Sequence, residues 1–188
     1  MANYKSLYQE VILDHNKKPR NYGTLAHASH HAVGHNPLCG DHISVALSFD
    51  RECIDCIAFQ GESCAICKAS ASMMTSAVKG KTRADAEILV QEFLAMATGK
   101  LNLDSPNQIG RLAVFAGVCD LPTRVKCAIL PWHTLHAAFN SVASASTEEF
   151  LGSEPKFAEP TARPEGAVRC TAAKLVSDPN NSAPIGNA

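Results

Sequence analysis

Eight cysteines, at positions 39, 53, 56, 64, 67, 119, 127 and 170, constrain this 188-residue chain more than any other feature. In a short secreted protein an even count predicts a disulfide framework, with loops stapled around a small core. The N-terminal stretch Met1-Ala2-Asn3-Tyr4-Lys5-Ser6-Leu7-Tyr8 has neither an apolar signal region nor a cleavage site. No apolar run approaches the roughly 20 residues of a membrane span. The expectation is therefore a cytoplasmic chain whose cysteines are reduced, some of them binding metal or carrying chemistry. Seventeen basic against 18 acidic side chains leave a formal charge of −1. That balance supplies no positive excess to displace counterions from a polyanion, so nucleic acid is not an expected partner.

The chain divides into a body, residues 1–145, and an extension, 146–188. The extension holds five of the ten prolines and lacks helical or strand periodicity. It has too little apolar surface to offset the entropy of ordering, which predicts disorder apart from a short helix near 167–176. In the body, Ser6 is placed to cap a helix with Leu7, Tyr8, Val11 and Ile12 on one face, before Pro19. Asn36-Pro37 and Gly40-Asp41 mark a turn. Ile43, Val45, Leu47 and Phe49 then alternate with polar or small residues, the signature of a half-buried strand, and a second strand follows from about Cys53 to Gln60. Ala65 to Lys79 reads as a helix of small residues closed by Gly80. Thr82 and Asp85 resemble a capping box opening a further helix that stops at Gly99. A short apolar helix is expected from Ile109 to Gly117. The last helix is expected from near Cys127 to Ala145, with Pro131 in its first turn. Early strands followed by helices predict an α+β fold: a small antiparallel sheet of about three strands with helices packed on it.

Cys53-x-x-Cys56 with Cys64-x-x-Cys67 has zinc-ribbon spacing. However, residues three apart on a regular strand point to opposite faces, which argues against Cys53 and Cys56 sharing an ion. Cys39, Asp41, Cys64 and Cys127 form a better set, because each falls where one element gives way to the next. Gly40 lets the chain bend so that a thiolate and a carboxylate can converge. Cys64 and Cys127 are both expected at helix N-termini, where the helix dipole favours thiolate. Three thiolates and a carboxylate suit tetrahedral zinc, and an iron–sulfur cluster accepts the same set. Any one of these cysteines alone reads equally well as a small buried hydrophobe.

Asn36-Pro37-Leu38-Cys39-Gly40-Asp41 resembles the first metal-ligand motif of the IscU/NifU/SufU family of iron–sulfur assembly proteins. Phe59-Gln60-Gly61-Glu62-Ser63-Cys64-Ala65-Ile66, continued by Ala69-Ser70-Ala71-Ser72-Met73-Met74, resembles the second, and Arg124-Val125-Lys126-Cys127-Ala128 the third. Leu7-Tyr8 through Pro19-Arg20-Asn21 is similar to the family's opening helix, so the resemblance spans about residues 4–144. Scaffold-type members carry histidine where this chain has Lys126. Leu101 to Leu121 resembles the extra segment of the SufU type. Both departures point to the SufU branch.

The resemblance implies a zinc-dependent sulfur carrier that takes persulfide sulfur from a SufS-type cysteine desulfurase, stimulates it, and serves downstream iron–sulfur assembly proteins. It implies Cys39, Asp41, Cys64 and Cys127 as zinc ligands and Cys39 as the sulfur acceptor. Two alternatives use the same residues: a scaffold for a [2Fe–2S] cluster, and a structural zinc module. Cys67 stands where the family motif leads one to expect a small residue, and its role is open. His27, His30, His31 and His35 are read as solvated loop residues and His42 as facing away from Asp41. His133 and His136 are placed at the surface of the last helix. Cys53, Cys56 and Cys119 are read as packing residues, and Cys170 as a bystander.

Overall fold

The computed structural model describes residues 4–147. The expected helix near 167–176, Cys170 and all of the extension beyond Thr147 lie outside the described residues. The elements are α1 (Tyr4–Lys17), β1 (His30–Asn36), β2 (Asp41–Asp50), β3 (Cys53–Glu62), α2 (Ala65–Val78), α3 (Arg83–Ala97), a 3₁₀ segment (Gly110–Asp120), α4 (Pro122–Phe139) and β4 (Ser144–Ser146). The strands form one sheet in the order β3-β2-β1-β4. The α+β expectation holds, but the sheet has four strands, and β4 pairs parallel to β1 while the other pairings are antiparallel. No helix among the described residues is long and apolar enough to cross a membrane.

Period-two alternation builds the centre of the sheet. Ile43, Val45 and Leu47 are fully buried along β2, and Asp41 lies on the same face at 1% exposure. A register shift between Ser48 and Phe49 offsets the pairing with β3, which continues through Phe49–Ile54 and Asp50–Cys53.

Strand β1 was not legible as a strand. His30, His31 and His35 belong to it, not to a loop, although His31 and His35 do face solvent. Its inner face is Ala32, Gly34 and Asn36, all fully or nearly fully buried. Those residues are small because α4 lies directly on them: a Cβ added at Gly34 would overlap Thr134 Oγ1 and press on Leu130. Close helix packing, rather than hydrophobic bulk, holds this strand.

The small-residue helix α2 is a two-sided seam. Ser70 Oγ donates to the Ala128 carbonyl of α4 at 2.7 Å and accepts from Trp132 Nε1 at 3.0 Å. Ser72 Oγ bonds His15 Nδ1 and accepts the Arg20 amide, both at 2.8 Å, fixing α1 and the chain after it. Trp132, fully buried, stacks on Phe93 of α3 with centroids 4.1 Å apart. Thr82 caps α3 by accepting the Asp85 amide at 3.1 Å, as the capping box predicts. In the 3₁₀ segment, Leu112, Phe115 and Val118 are buried, three residues apart, the spacing that aligns side chains on one face of a 3₁₀ helix.

The last helix departs from expectation at both ends. It starts at Pro122, so Pro122 and not Pro131 occupies the first turn, and it ends at Phe139 rather than near Ala145. Pro131 sits in the helix interior, where its missing N–H removes the α-helical partner of the Cys127 carbonyl. His133, expected at the surface, is 3% exposed because α4 is covered on several sides, and burial pushes its pKa down to about 4.

Two predictions follow from this packing. Gly34→Ala should cost about 1–3 kcal/mol by overpacking the contact between β1 and α4, read as a lowered urea midpoint; an unchanged midpoint would refute the close approach. His133 has a folded pKa below its unfolded value, so the unfolded chain binds more protons between the two. Its contribution is full above about pH 6.5 and is lost as pH falls toward 4, a loss of about 3 kcal/mol at most. His15 and His136 shift in the same direction, both chiefly by burial, and add to the slope. In metal-free protein the urea midpoint should fall between pH 7.5 and pH 5, and His133→Phe should flatten that slope.

Candidate metal centre

Three segments meet at one end of the sheet. The turn between β1 and β2 carries Cys39, and Gly40, at φ +70°, gives it the left-handed conformation that reverses the chain. Asp41 is the first residue of β2, and strand alternation aims it inward with Ile43. Cys64 is the N-cap of α2, reached from β3 through Gly61 (φ +139°), where a side chain would strike the His42 carbonyl. Cys127 lies in the second turn of α4 and is fully buried.

One donor atom from each of Cys39, Asp41 and Cys127 lies within 4.8 Å of the others. Cys39 Sγ and Cys127 Sγ are 3.1 Å apart. Cys64 joins through the carboxylate: its amide donates to Asp41 Oδ1 at 2.7 Å, and its Sγ is 3.5 Å from Asp41 Oδ2. A tetrahedral zinc with Zn–S near 2.3 Å and Zn–O near 2.0–2.2 Å would need edges of about 3.8 Å between sulfurs and about 3.5–3.6 Å between sulfur and oxygen. The Cys64–Asp41 separation already meets that value. The Cys39–Cys127 pair needs to open by about 0.7 Å to reach the same sulfur–sulfur edge, and Cys39 lies in an exposed turn. Cys39, Asp41 and Cys127 thus form a compact candidate donor group suited to zinc, and Cys64 lies outside that group, adjoining it through Asp41.

The thiols are electrostatically unequal. A hydrogen bond from Cys127 brings the Cys64 pKa down to about 7 against the opposing effect of burial, helped by the Cys67 and Ile66 amides at the start of α2. The expectation that a helix start favours thiolate at Cys64 thus has a structural basis in those amides. It fails at Cys127, whose pKa is driven strongly upward by donation to Cys64, by burial and by Cys39. Cys127 is the sixth residue of α4, beyond the unpaired amides of the first turn.

The chain matches the family described as NifU-like N terminal domain over residues 7–128. It belongs to that family. The iron–sulfur cluster assembly scaffold protein IscU of Streptococcus pyogenes serotype M1 is 38% identical over 145 residues, 77% of this chain and 90% of the relative. The zinc-dependent sulfurtransferase SufU of Bacillus subtilis is 41% identical over 134 residues, 71% of this chain and 90% of the relative. Among solved structures, a putative iron–sulfur cluster assembly scaffold protein for the SUF system from Fervidobacterium islandicum superposes with a TM-score of 0.66 at 33% identity, covering 72% of this chain and 98% of that one. The recognition of an IscU/NifU/SufU relative, made on three motifs, is borne out.

Sequence reasoning passed over Asn36. It is fully buried; its Nδ2 donates to Cys127 Sγ at 3.7 Å, and its Oδ1 accepts from the Leu38 amide and Thr147 Oγ1, each at 3.2 Å. Asn-Pro reads as a turn, and nothing in it signals a partner 91 residues away. Cys53 and Cys56 take no part. Cys56 lies six residues from the end of β3, about 20 Å from the site at strand rise, and its thiol donates to Asp55. Cys119 is half-buried with its thiol on the Ala116 carbonyl. His42 is exposed, as expected, and Arg124 is exposed with no ion pair among the described residues.

The geometry sets an order of metal affinities. In competition with a chromogenic chelator, Asn36→Ala should weaken zinc by about 10–100-fold, the usual cost of losing an outer contact to a ligand, and Asp41→Ala should weaken it more. The reverse order would remove Asp41 from the donor set.

Proposed function

We propose that this protein is a zinc-dependent sulfur acceptor in iron–sulfur cluster assembly, taking persulfide sulfur from a SufS-type cysteine desulfurase and stimulating its turnover. Cys39, Asp41, Cys64 and Cys127 would hold the zinc. The observation that carries the reading is an asymmetry of access: Cys39 is exposed, Cys64 half-buried, and Asp41 and Cys127 are buried. Bound zinc keeps the thiols of such a set deprotonated at neutral pH.

Cys39 alone among these residues can meet a sulfur atom presented by another protein. Its thiolate attacks the outer sulfur of the desulfurase persulfide. The Cys39 Sγ–S bond forms, the sulfur–sulfur bond of the donor breaks, and the desulfurase cysteine leaves as thiolate. Asp41, held by the Cys64 amide, and Cys127, held by Asn36, keep the remaining donors in place during the transfer. Leu38, 62% exposed beside Cys39, and Leu121 and Arg124, exposed at the start of α4, supply apolar and cationic contacts for the docking partner. The proposed place of action is the cytoplasm.

The name of the S. pyogenes relative favours a second reading, a scaffold on which a cluster is assembled. Lys126, beside Cys127 where scaffold-type motifs carry histidine, weighs against it. Metal analysis of protein isolated from its own host, with desulfurase assays, separates the two. Zinc with strong stimulation supports sulfur transfer, and a coloured iron-bearing species supports the scaffold. Zinc without stimulation leaves a structural module. Cys39→Ala should reduce desulfurase turnover to that of the desulfurase alone; stimulation equal to wild type would exclude Cys39 as acceptor.

A further inference from the structure

Cys67 has no part in the donor set, yet it sits against it. The run Cys64-Ala65-Ile66-Cys67 places two cysteines three residues apart at the start of α2. Cys64 is the N-cap, with extended φ −64° and ψ 164°, and its Sγ accepts the Cys67 amide at 3.4 Å. Cys67 is fully buried and shares a cluster with Ile43, Cys127 and Leu130, against which Cys64 also packs. Two thiols separated by two residues at a helix start form the arrangement that thiol–disulfide oxidoreductases use. Residues three apart on a helix have Cβ atoms about 5–6 Å apart, whereas a disulfide requires about 3.5–4.5 Å. The pair must therefore close by one to two ångströms. Cys64 can make that movement because, as the cap, it is not held by helical φ and ψ.

We propose that Cys64 and Cys67 are an oxidation site, joined reversibly as a disulfide that withdraws Cys64 from the metal-binding set. This rests on the reading of Cys64 as a ligand. The oxidant is a small-molecule disulfide. The partly exposed Cys64 thiolate attacks one of its sulfurs, forming a mixed disulfide and expelling one thiolate. Cys67 then attacks the Cys64 sulfur, giving up its proton to the second departing thiolate. Two protein thiols are oxidised, and one small disulfide is reduced to two thiols. Cys67 needs no solvent access, because the sulfur it attacks is its neighbour's. The buried wall behind it favours the intramolecular bond over a second mixed disulfide. With Cys64 so engaged, three donors remain and the metal is released. Reduction restores the fourth.

The test uses the full chain loaded with zinc and treated with oxidised glutathione, alongside Cys67→Ser and Cys67→Ala. Zinc release is followed with a chromogenic chelator, and linkages are mapped by mass spectrometry of unreduced peptides. Wild type should release zinc with a Cys64–Cys67 linkage, and dithiothreitol should restore binding. Both variants should bind zinc as wild type does, stop at glutathione on Cys64, and release zinc at least tenfold more slowly. A Cys39–Cys127 linkage in place of Cys64–Cys67 would overturn the proposal, as would release from the variants at the wild-type rate. Substantial loss of zinc from both untreated variants would make Cys67 a ligand instead, and would equally overturn it. If wild type binds no zinc, the metal-site reading fails by itself, and the linkage formed in the metal-free chain still decides the cysteine pair.

Discussion

The contact of α4 with β1 at Gly34 governs the rest of the molecule. The helix can carry Cys127 down to the level of Cys39 only if its axis comes close to the sheet, and a side chain at Gly34 would hold it off through Thr134 and Leu130. From that contact α4 continues to Trp132, which reaches both Ser70 on α2 and Phe93 on α3. The position of α2 is therefore set from α4, and with it the position of Cys64. On its other side α2 is fixed by Ser72 to His15 and to the Arg20 amide, so the orientation of one helix is determined from two directions. The site is built at the end of this chain of contacts rather than by local motifs alone.

Local chemistry then completes what packing begins. Asp41 faces inward because it is in phase with Ile43, Val45 and Leu47, and a buried carboxylate there requires a donor. The Cys64 amide is that donor. The same bond ties the start of β2 to the start of α2, so burying the carboxylate and placing the second thiol are one event. Asn36 plays the matching part on the other side, satisfying the Leu38 amide, reaching the Cys127 sulfur and accepting Thr147. Thr147 follows the short parallel strand β4, so the region just after the last helix is tied to the back of the candidate metal site.

Much of this was legible in the sequence, and the exceptions share a cause. The alternation in β2, the Thr82 cap and the small-residue helix each express local geometry, and each is found where expected. The set Cys39, Asp41, Cys64 and Cys127 could be assembled on paper because each reads as lying at a junction between elements, although Cys127 is the sixth residue of α4. Strand β1 was missed because its inner face is small instead of apolar, a property dictated by a helix that begins 86 residues later. The start of α4 was misplaced because Pro131 was assigned to a first turn. In the structure Pro122 holds that place, and Pro131 lies inside the helix, four residues beyond Cys127. His133 was put at the surface because a histidine on a helix carries no mark of how many neighbours cover it. Tertiary packing decided each of these, and a single sequence records tertiary packing only indirectly.

The distribution of access around the candidate site makes its proposed donors unequal. A tetrahedral set with every donor buried would be a structural centre, stable and inert. Here the turn that supplies Cys39 is opened by Pro37 and Gly40, and its neighbour Leu38 points outward. Cys127, by contrast, is fully buried in a helix that is covered over most of its length beyond the exposed first turn. Cys127 shares its helix with Thr134, which packs on Gly34, and with Trp132, which stacks on Phe93. The fold thus gives one sulfur access to solvent and encloses another before any partner or metal is considered. That division is what a carrier requires, since one thiol must meet a second protein while the rest of the site keeps its shape.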